Sequence, residues 1–141
     1  MRRRAIGFFI LLVMSFLLII DVDLAHAAEH KLENLHIQVI IEDNGDAKII
    51  ETRQMTLSEG TENYIVIGNL GKSKIKDFKV TENGQEYEFL KKWDLNKSRE
   101  EKAFKNGIIK TSDGYELSWG IGEYGYHEYV VEFVLTDGIK Q

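Results

Sequence analysis

Apolar and polar residues alternate along much of the chain. Leu35, Ile37, Val39 and Ile41 point one way, and His36, Gln38 and Glu42 the other. Period-two patterning predicts a strand with one face buried. Asp43-Asn44-Gly45-Asp46 follows, and Asn-Gly suits the positive φ angles of a type I′ turn. Ala47 to Leu57 carries Ile49, Met55 and Leu57 with polar residues between, so residues 35–57 are expected to form a hairpin. Ser58 to Thr61 reads as a loop. Asn63 to Leu70 is either a short buried strand or an irregular crossing. A second hairpin is predicted from Ile75 to Val80, through Asn83-Gly84, to Tyr87 to Leu90.

The pattern changes between Lys91 and Lys105. Ser98-Arg99-Glu100-Glu101 matches a capping box, in which the serine and the glutamate satisfy each other's backbone N–H groups. One short charged helix or a solvated loop fits, with Gly107 placed to end the turn. Strands then return. Ile108 and Ile109 lead into the turn Thr111-Ser112-Asp113-Gly114, and Tyr115, Leu117 and Trp119 alternate after it. His127, Tyr129, Val131, Phe133 and Leu135 alternate again. Seven or so short strands with frequent turn signals predict an all-β fold: an antiparallel β-sandwich of immunoglobulin-like or Greek-key type, with at most one short helix.

The N-terminus differs from everything after it. Met1-Arg2-Arg3-Arg4 is followed by an apolar run of 16 residues, Ala5 to Ile20, broken only by Gly7 and Ser15. Ala25-His26-Ala27-Ala28 is a small-x-small exit. These are the three parts of a signal peptide, with cleavage expected after Ala27. The run is near the roughly 20 residues that span a bilayer, so an uncleaved membrane anchor is the other reading. Residues 1–27 are thus the signal segment and residues 28–141 one domain, with an extracytoplasmic location.

Residues 1–27 hold three of the 18 basic and two of the 23 acidic residues, which leaves 15 against 21 and a net charge of −6. An acidic surface argues against nucleic acid, which rewards clustered lysine and arginine. The chain has neither cysteine nor proline. That excludes thiol catalysis and cysteine-based metal sites, and it fits an exported bacterial domain held by its core alone.

No motif reaches a catalytic or cofactor signature. Gly120-Ile121-Gly122-Glu123-Tyr124-Gly125 is a literal GxGxxG, but a strand pattern follows where a dinucleotide site needs a helix, so it reads as a glycine-rich hairpin loop. His30, His36 and His127 have no helical i, i+4 partner, and His127 reads as a strand-surface residue. Asp43 to Asp46 is rich in oxygen ligands but does not match a calcium loop. Ser118 lacks the nucleophile elbow. Aromatics cluster in the second half. Trp119 reads as core. Trp93, Tyr124 and Tyr126 are the candidate ligand contacts, with packing over the end of the sandwich as their other use.

The segment Ile37-Gln38-Val39-Ile40-Ile41-Glu42-Asp43-Asn44-Gly45-Asp46-Ala47-Lys48-Ile49-Ile50-Glu51 resembles the opening of the domain of unknown function 2207 family, a group of predicted bacterial membrane proteins. Asp113-Gly114-Tyr115-Glu116-Leu117-Ser118-Trp119-Gly120, followed by Tyr129-Val130-Val131-Glu132-Phe133, looks like a later hairpin of that domain. The resemblance covers most of residues 32–137. It implies an extracytoplasmic β-sandwich and supplies no catalytic residues. Members of that family usually continue into more of the domain, then transmembrane helices and a cytoplasmic tail, so the chain is expected to be a truncated reading frame, a fragment or a shortened relative. The function expected is non-enzymatic: an interaction, scaffold or sensor domain of a membrane-associated protein, with an envelope protein or cell-wall component as partner. A carbohydrate- or peptide-binding module is the alternative, and an envelope hydrolase a third. Membrane contact would run through the N-terminal segment if it is uncleaved. No cofactor is expected.

Overall fold

A computed structural model of the chain describes residues 30–138. The predicted signal segment, with its cleavage point after Ala27, lies outside the described residues. The elements are β1 (Lys31–Ile41), β2 (Ala47–Leu57), β3 (Glu62–Ile67), β4 (Ile75–Glu82), β5 (Gln85–Glu86), β6 (Glu88–Leu90), α1 (Arg99–Lys102), β7 (Lys105–Lys110), β8 (Tyr115–Gly120) and β9 (Gly125–Leu135). They form two sheets, ordered β1-β2-β9-β4-β5 and β3-β8-β7-β6. The predicted all-β sandwich with one short helix is the fold.

The hydrophobic pattern explains the core. On β9, His127, Tyr129, Val131 and Phe133 are all buried, as their shared phase requires. Tyr129, Val131 and Phe133 share the core with Leu117 and Trp119 of the second sheet, with Leu57, Val80 and Ile121 completing the centre. Of residues 63–70, those up to Ile67 belong to an edge strand, β3, and the rest lead out of it. Its Ile65 and Ile67 pack on the core while Tyr64 and Val66 face solvent.

The first hairpin forms with Ile37 opposite Glu51 and Val39 opposite Ile49. Its turn is not type I′. Of the loop residues only Gly45 has a positive φ, +85°. Glu42 N–H donates to Asp46 O, and Gly45 N–H donates to Glu42 O, both at 2.9 Å. This is a three-residue loop with glycine in the left-handed position. The expected burial of one β1 face also fails: every residue of β1 is exposed. Leu35, Ile37, Val39 and Ile41 do share the inward face of the first sheet, but the smaller second sheet does not reach over them.

The second hairpin keeps its predicted turn, with Asn83 at φ +49° and Gly84 at φ +78°. Its return strand is corrected. After Glu86 the chain leaves the first sheet, and β6 pairs parallel with β7 in the second. Tyr87 makes the crossing because its ring is drawn between the sheets, where it is 3% exposed.

Both arms of the capping box are present. Ser98 N–H donates to the Glu101 carboxylate at 3.0 Å, and Glu101 N–H donates to Ser98 Oγ at 3.3 Å. The helix ends at Lys102, not at Gly107. Gly107 lies within β7, where a Cβ would stand 3.1 Å from the Trp93 ring. Its bare α-carbon lets Trp93 cover the outer face of the second sheet.

On the outer face of the first sheet, Glu132 bridges Lys48 at 3.0 Å and Lys79 at 3.1 Å. Partial burial pushes its carboxyl up, but the hydrogen bonds from both ammonium groups outweigh that and hold it below the ordinary range. A lowered folded-state value stabilises above the ordinary carboxylate range, and the benefit is lost as pH falls through the folded value. The stability difference between wild type and Glu132→Gln is therefore expected to be full near neutral pH and to shrink as pH falls below the ordinary carboxylate range. Urea titrations at several pH values check this; a difference that persists in acid refutes it.

Candidate ligand-binding cleft

The end of β4, the start of β9 and the β8–β9 connection enclose a cleft of about 290 Å³. Its rim is aromatic. Phe104, Tyr124 and Tyr126 line it and are 47%, 48% and 58% exposed. Large aromatic faces are ordinarily buried, so three around one opening distinguish this end of the sandwich. Phe104 is held outward by a left-handed backbone, φ +58°, immediately after the helix.

The floor is polar. His127 Nδ1 lies 2.6 Å from Glu82 Oε1, and His127 Nε2 lies 3.0 Å from the Glu123 carbonyl oxygen. The ring stacks on Tyr129 with centroids 5.2 Å apart and planes 4° from parallel. Glu82 Oε2 accepts the Tyr87 hydroxyl at 2.6 Å. Burial, then the hydrogen bond to Glu82, push the Tyr87 phenol far above its ordinary range. Burial and then the Glu82 charge raise Tyr129 in the same direction. Tyr87 therefore remains a donor to Glu82 at physiological pH.

His127 is thus not a strand-surface residue. It stands in phase with Tyr129 and Val131 and turns inward, 9% exposed, because Glu82 on the neighbouring strand receives it. Both imidazole nitrogens and both Glu82 oxygens are engaged within the chain. Neither ring nitrogen of His127 can take a proton from a bound molecule without first breaking a contact, while each Glu82 oxygen keeps a second acceptor site. Ser118 donates to the Glu116 carboxylate at 3.1 Å but is fully buried, so its hydroxyl is out of reach of a molecule in the cleft.

Of the predicted contacts, Tyr124 and Tyr126 come together on this rim. Tyr124 donates its hydroxyl to Gly60 O at 3.0 Å, and the Arg99 guanidinium lies 4.5 Å from its ring centroid. Trp93 does not join them. It is 6% exposed, its indole N–H donates to the Glu62 carboxylate, and it lines a separate cleft of about 240 Å³ beside Lys102. Trp93, the third candidate contact, thus stands apart from the two tyrosines, and its ring covers the second sheet.

No family model matches the chain, and no curated protein or solved structure matches it.

The glycine-rich stretch is a crossover between the two sheets, not a hairpin loop, because β8 and β9 belong to different sheets. Its glycines permit close approach. A Cβ on Gly120 would stand 1.9 Å from Lys102 O, and one on Gly122 2.9 Å from the Phe104 ring. A strand follows it, so no helix N-terminus is offered to a pyrophosphate. In the β1–β2 loop, Asp46 Oδ1 accepts Asp137 N–H, and Asn44 Oδ1 accepts Asp46 N–H. Among the described residues no three His, Asp or Glu side chains converge as metal ligands. A larger cleft, about 480 Å³, lies on the outer face of the first sheet around Glu132. Lys48 and Lys79 already satisfy that carboxylate, and no exposed aromatic face lines it.

Sequence reasoning missed Phe104 and Glu82. Phe104 carries no signal of exposure, since phenylalanine is ordinarily core. Glu82 does have one: it directly precedes the Asn83-Gly84 turn, which fixes it at a sheet end.

Proposed function

We propose that the chain is an extracytoplasmic, non-enzymatic binding domain of the bacterial envelope, related to the domain of unknown function 2207 family. Export is carried by the signal pattern of residues 1–27. The binding reading is supported by one observation above all: three exposed aromatic faces surround a floor whose histidine and carboxylate are already engaged. Such a floor is held in place by its own contacts and suits orienting a ligand. The rim offers flat apolar surfaces with hydroxyl edges, which suit a sugar ring or an extended peptide. A cell-wall glycan or peptide is accordingly the ligand class.

Binding of the full chain to purified cell-wall glycan and to a peptide library tests this. Wild type is expected to bind roughly tenfold tighter than the Tyr124→Ala/Tyr126→Ala variant, since each aromatic contact contributes about 0.5–1.5 kcal/mol. Both rings are exposed, so the variant is expected to fold. Equal retention of the two proteins, or retention of neither, removes the cleft as the binding site.

A further inference from the structure

The first sheet has one long free edge. Glu42 N–H donates to Asp46 O, so the backbone groups of residues 34, 36, 38, 40 and 42 point at β2. Those of Leu35, Ile37, Val39 and Ile41 point away from it. No strand pairs there among the described residues.

Sheet edges are ordinarily guarded by short length, lysine, proline or a bulge. Two edges of this sandwich are guarded by length, since β5 has two residues and β6 three. The β1 edge has eleven. Lys31 and the bulge between Leu32 and Asn34 sit together at one end of it. From Asn34 to Ile41 the strand has no charge and no proline. On its inward face Leu35, Ile37, Val39 and Ile41 are between 38% and 56% exposed.

We propose that this edge pairs antiparallel with β1 of a second copy of the chain. The register that uses the whole bulge-free stretch places Gln38 opposite Gln38. Ile37 then faces Val39, and Leu35 faces Ile41, on the inward side. His36 faces Ile40 on the other side, and Asn34 faces Glu42. No like charges meet, and the free backbone groups of residues 35, 37, 39 and 41 all find partners. The strand is its own complement, whereas a foreign strand would have to match both its alternation and its lack of charge. The two inward apolar strips then lie side by side, and each covers the other's flank.

The absence of cysteine makes the test direct. Gln38 opposite Gln38 is a non-hydrogen-bonded pair, with Cα atoms about 4.5 Å apart. That lies within the range of a disulfide, roughly 4.4–6.8 Å. The full-length chain is used, in a mild detergent that holds its apolar N-terminal segment in solution, with copper phenanthroline as oxidant. Gln38→Cys is expected to form a covalent dimer at least about tenfold faster than Tyr64→Cys, an exposed site on the edge of the other sheet. Adding Val39→Lys to Gln38→Cys is expected to slow dimer formation roughly tenfold, because each dimer carries the substitution twice. Circular dichroism verifies that the variants fold. Equal rates for Gln38→Cys and Tyr64→Cys, or indifference to Val39→Lys, overturn the pairing.

Discussion

Trp119→Ala is expected to lower the free energy of unfolding by about 3–5 kcal/mol, the range for deleting a large buried aromatic. Trp119 is fully buried on β8, and its ring meets Tyr129 edge-on with centroids 5.7 Å apart. The β3 and β7 residues paired with it are Asn63 and Asn106, so no large apolar side chain beside it in the sheet is placed to fill the space. The indole also carries an unmet need: Trp119 Nε1–H has no hydrogen-bond partner among the described residues. An unpaired buried donor costs about 1–3 kcal/mol. Trp119→Phe removes that penalty along with part of the ring. It is therefore expected to cost under about 1.5 kcal/mol, well short of the alanine variant. Urea denaturation of both variants checks this. Phenylalanine as damaging as alanine would show that the indole nitrogen is satisfied in solution.

The second large effect is expected at Lys102. Its side chain is buried, yet its ammonium is fully engaged: it donates to Thr61 Oγ1 at 3.0 Å and Leu95 O at 2.9 Å, and pairs with Glu62 Oε2 at 3.1 Å. Glu62 also accepts the Trp93 indole N–H. One cation thus joins β3, the segment before the helix and the helix itself. Removing one partner of a buried pair leaves the other charge uncompensated, which costs about 3–5 kcal/mol. Lys102→Met keeps most of the volume and is expected to fall in that range, because Glu62 then has Trp93 alone. Adding Glu62→Gln is expected to restore at least about 1 kcal/mol, since the amide oxygen still accepts from Trp93 and no charge is stranded. A double-mutant cycle measures this. A double variant no more stable than Lys102→Met would mean that water reaches the carboxylate.

Much of this architecture is written in local pattern. The alternation of β9, the Asn83-Gly84 turn and the Ser98–Glu101 capping box each depend on neighbours within a few residues. All three stand as read. What the pattern does not contain is coverage. Leu35, Ile37, Val39 and Ile41 alternate as a buried face would, but burial also needs a second sheet long enough to lie over them. Tyr87 reads as a strand residue, and whether its strand turns back or crosses over depends on where a tyrosine ring can be packed. The cleft was legible in part. Tyr124 and Tyr126 follow from tyrosines beside glycines. His127 is in phase with a core strand, so its inward direction was in the pattern, while the residue type suggested the surface. Its partner Glu82 lies 45 residues earlier and becomes a neighbour only because β4 pairs with β9. Trp93 misled for the opposite reason: the space that accepts it is made by the missing side chain of Gly107.

The position of β9 in its sheet governs when the molecule can assemble. It is the latest of the described strands in the chain, yet it lies between β2 and β4 and pairs with both. While the ribosome is still extending the chain, β1 and β2 form at most an isolated hairpin, which is marginal in water. Nothing joins it to β4 until residues 125–135 have emerged. Contacts of such long sequence separation place the protein among slow, high-contact-order folders, on the scale of milliseconds to seconds. A nascent chain with this topology therefore stays loose until β9 has left the ribosome, however much of the domain precedes it.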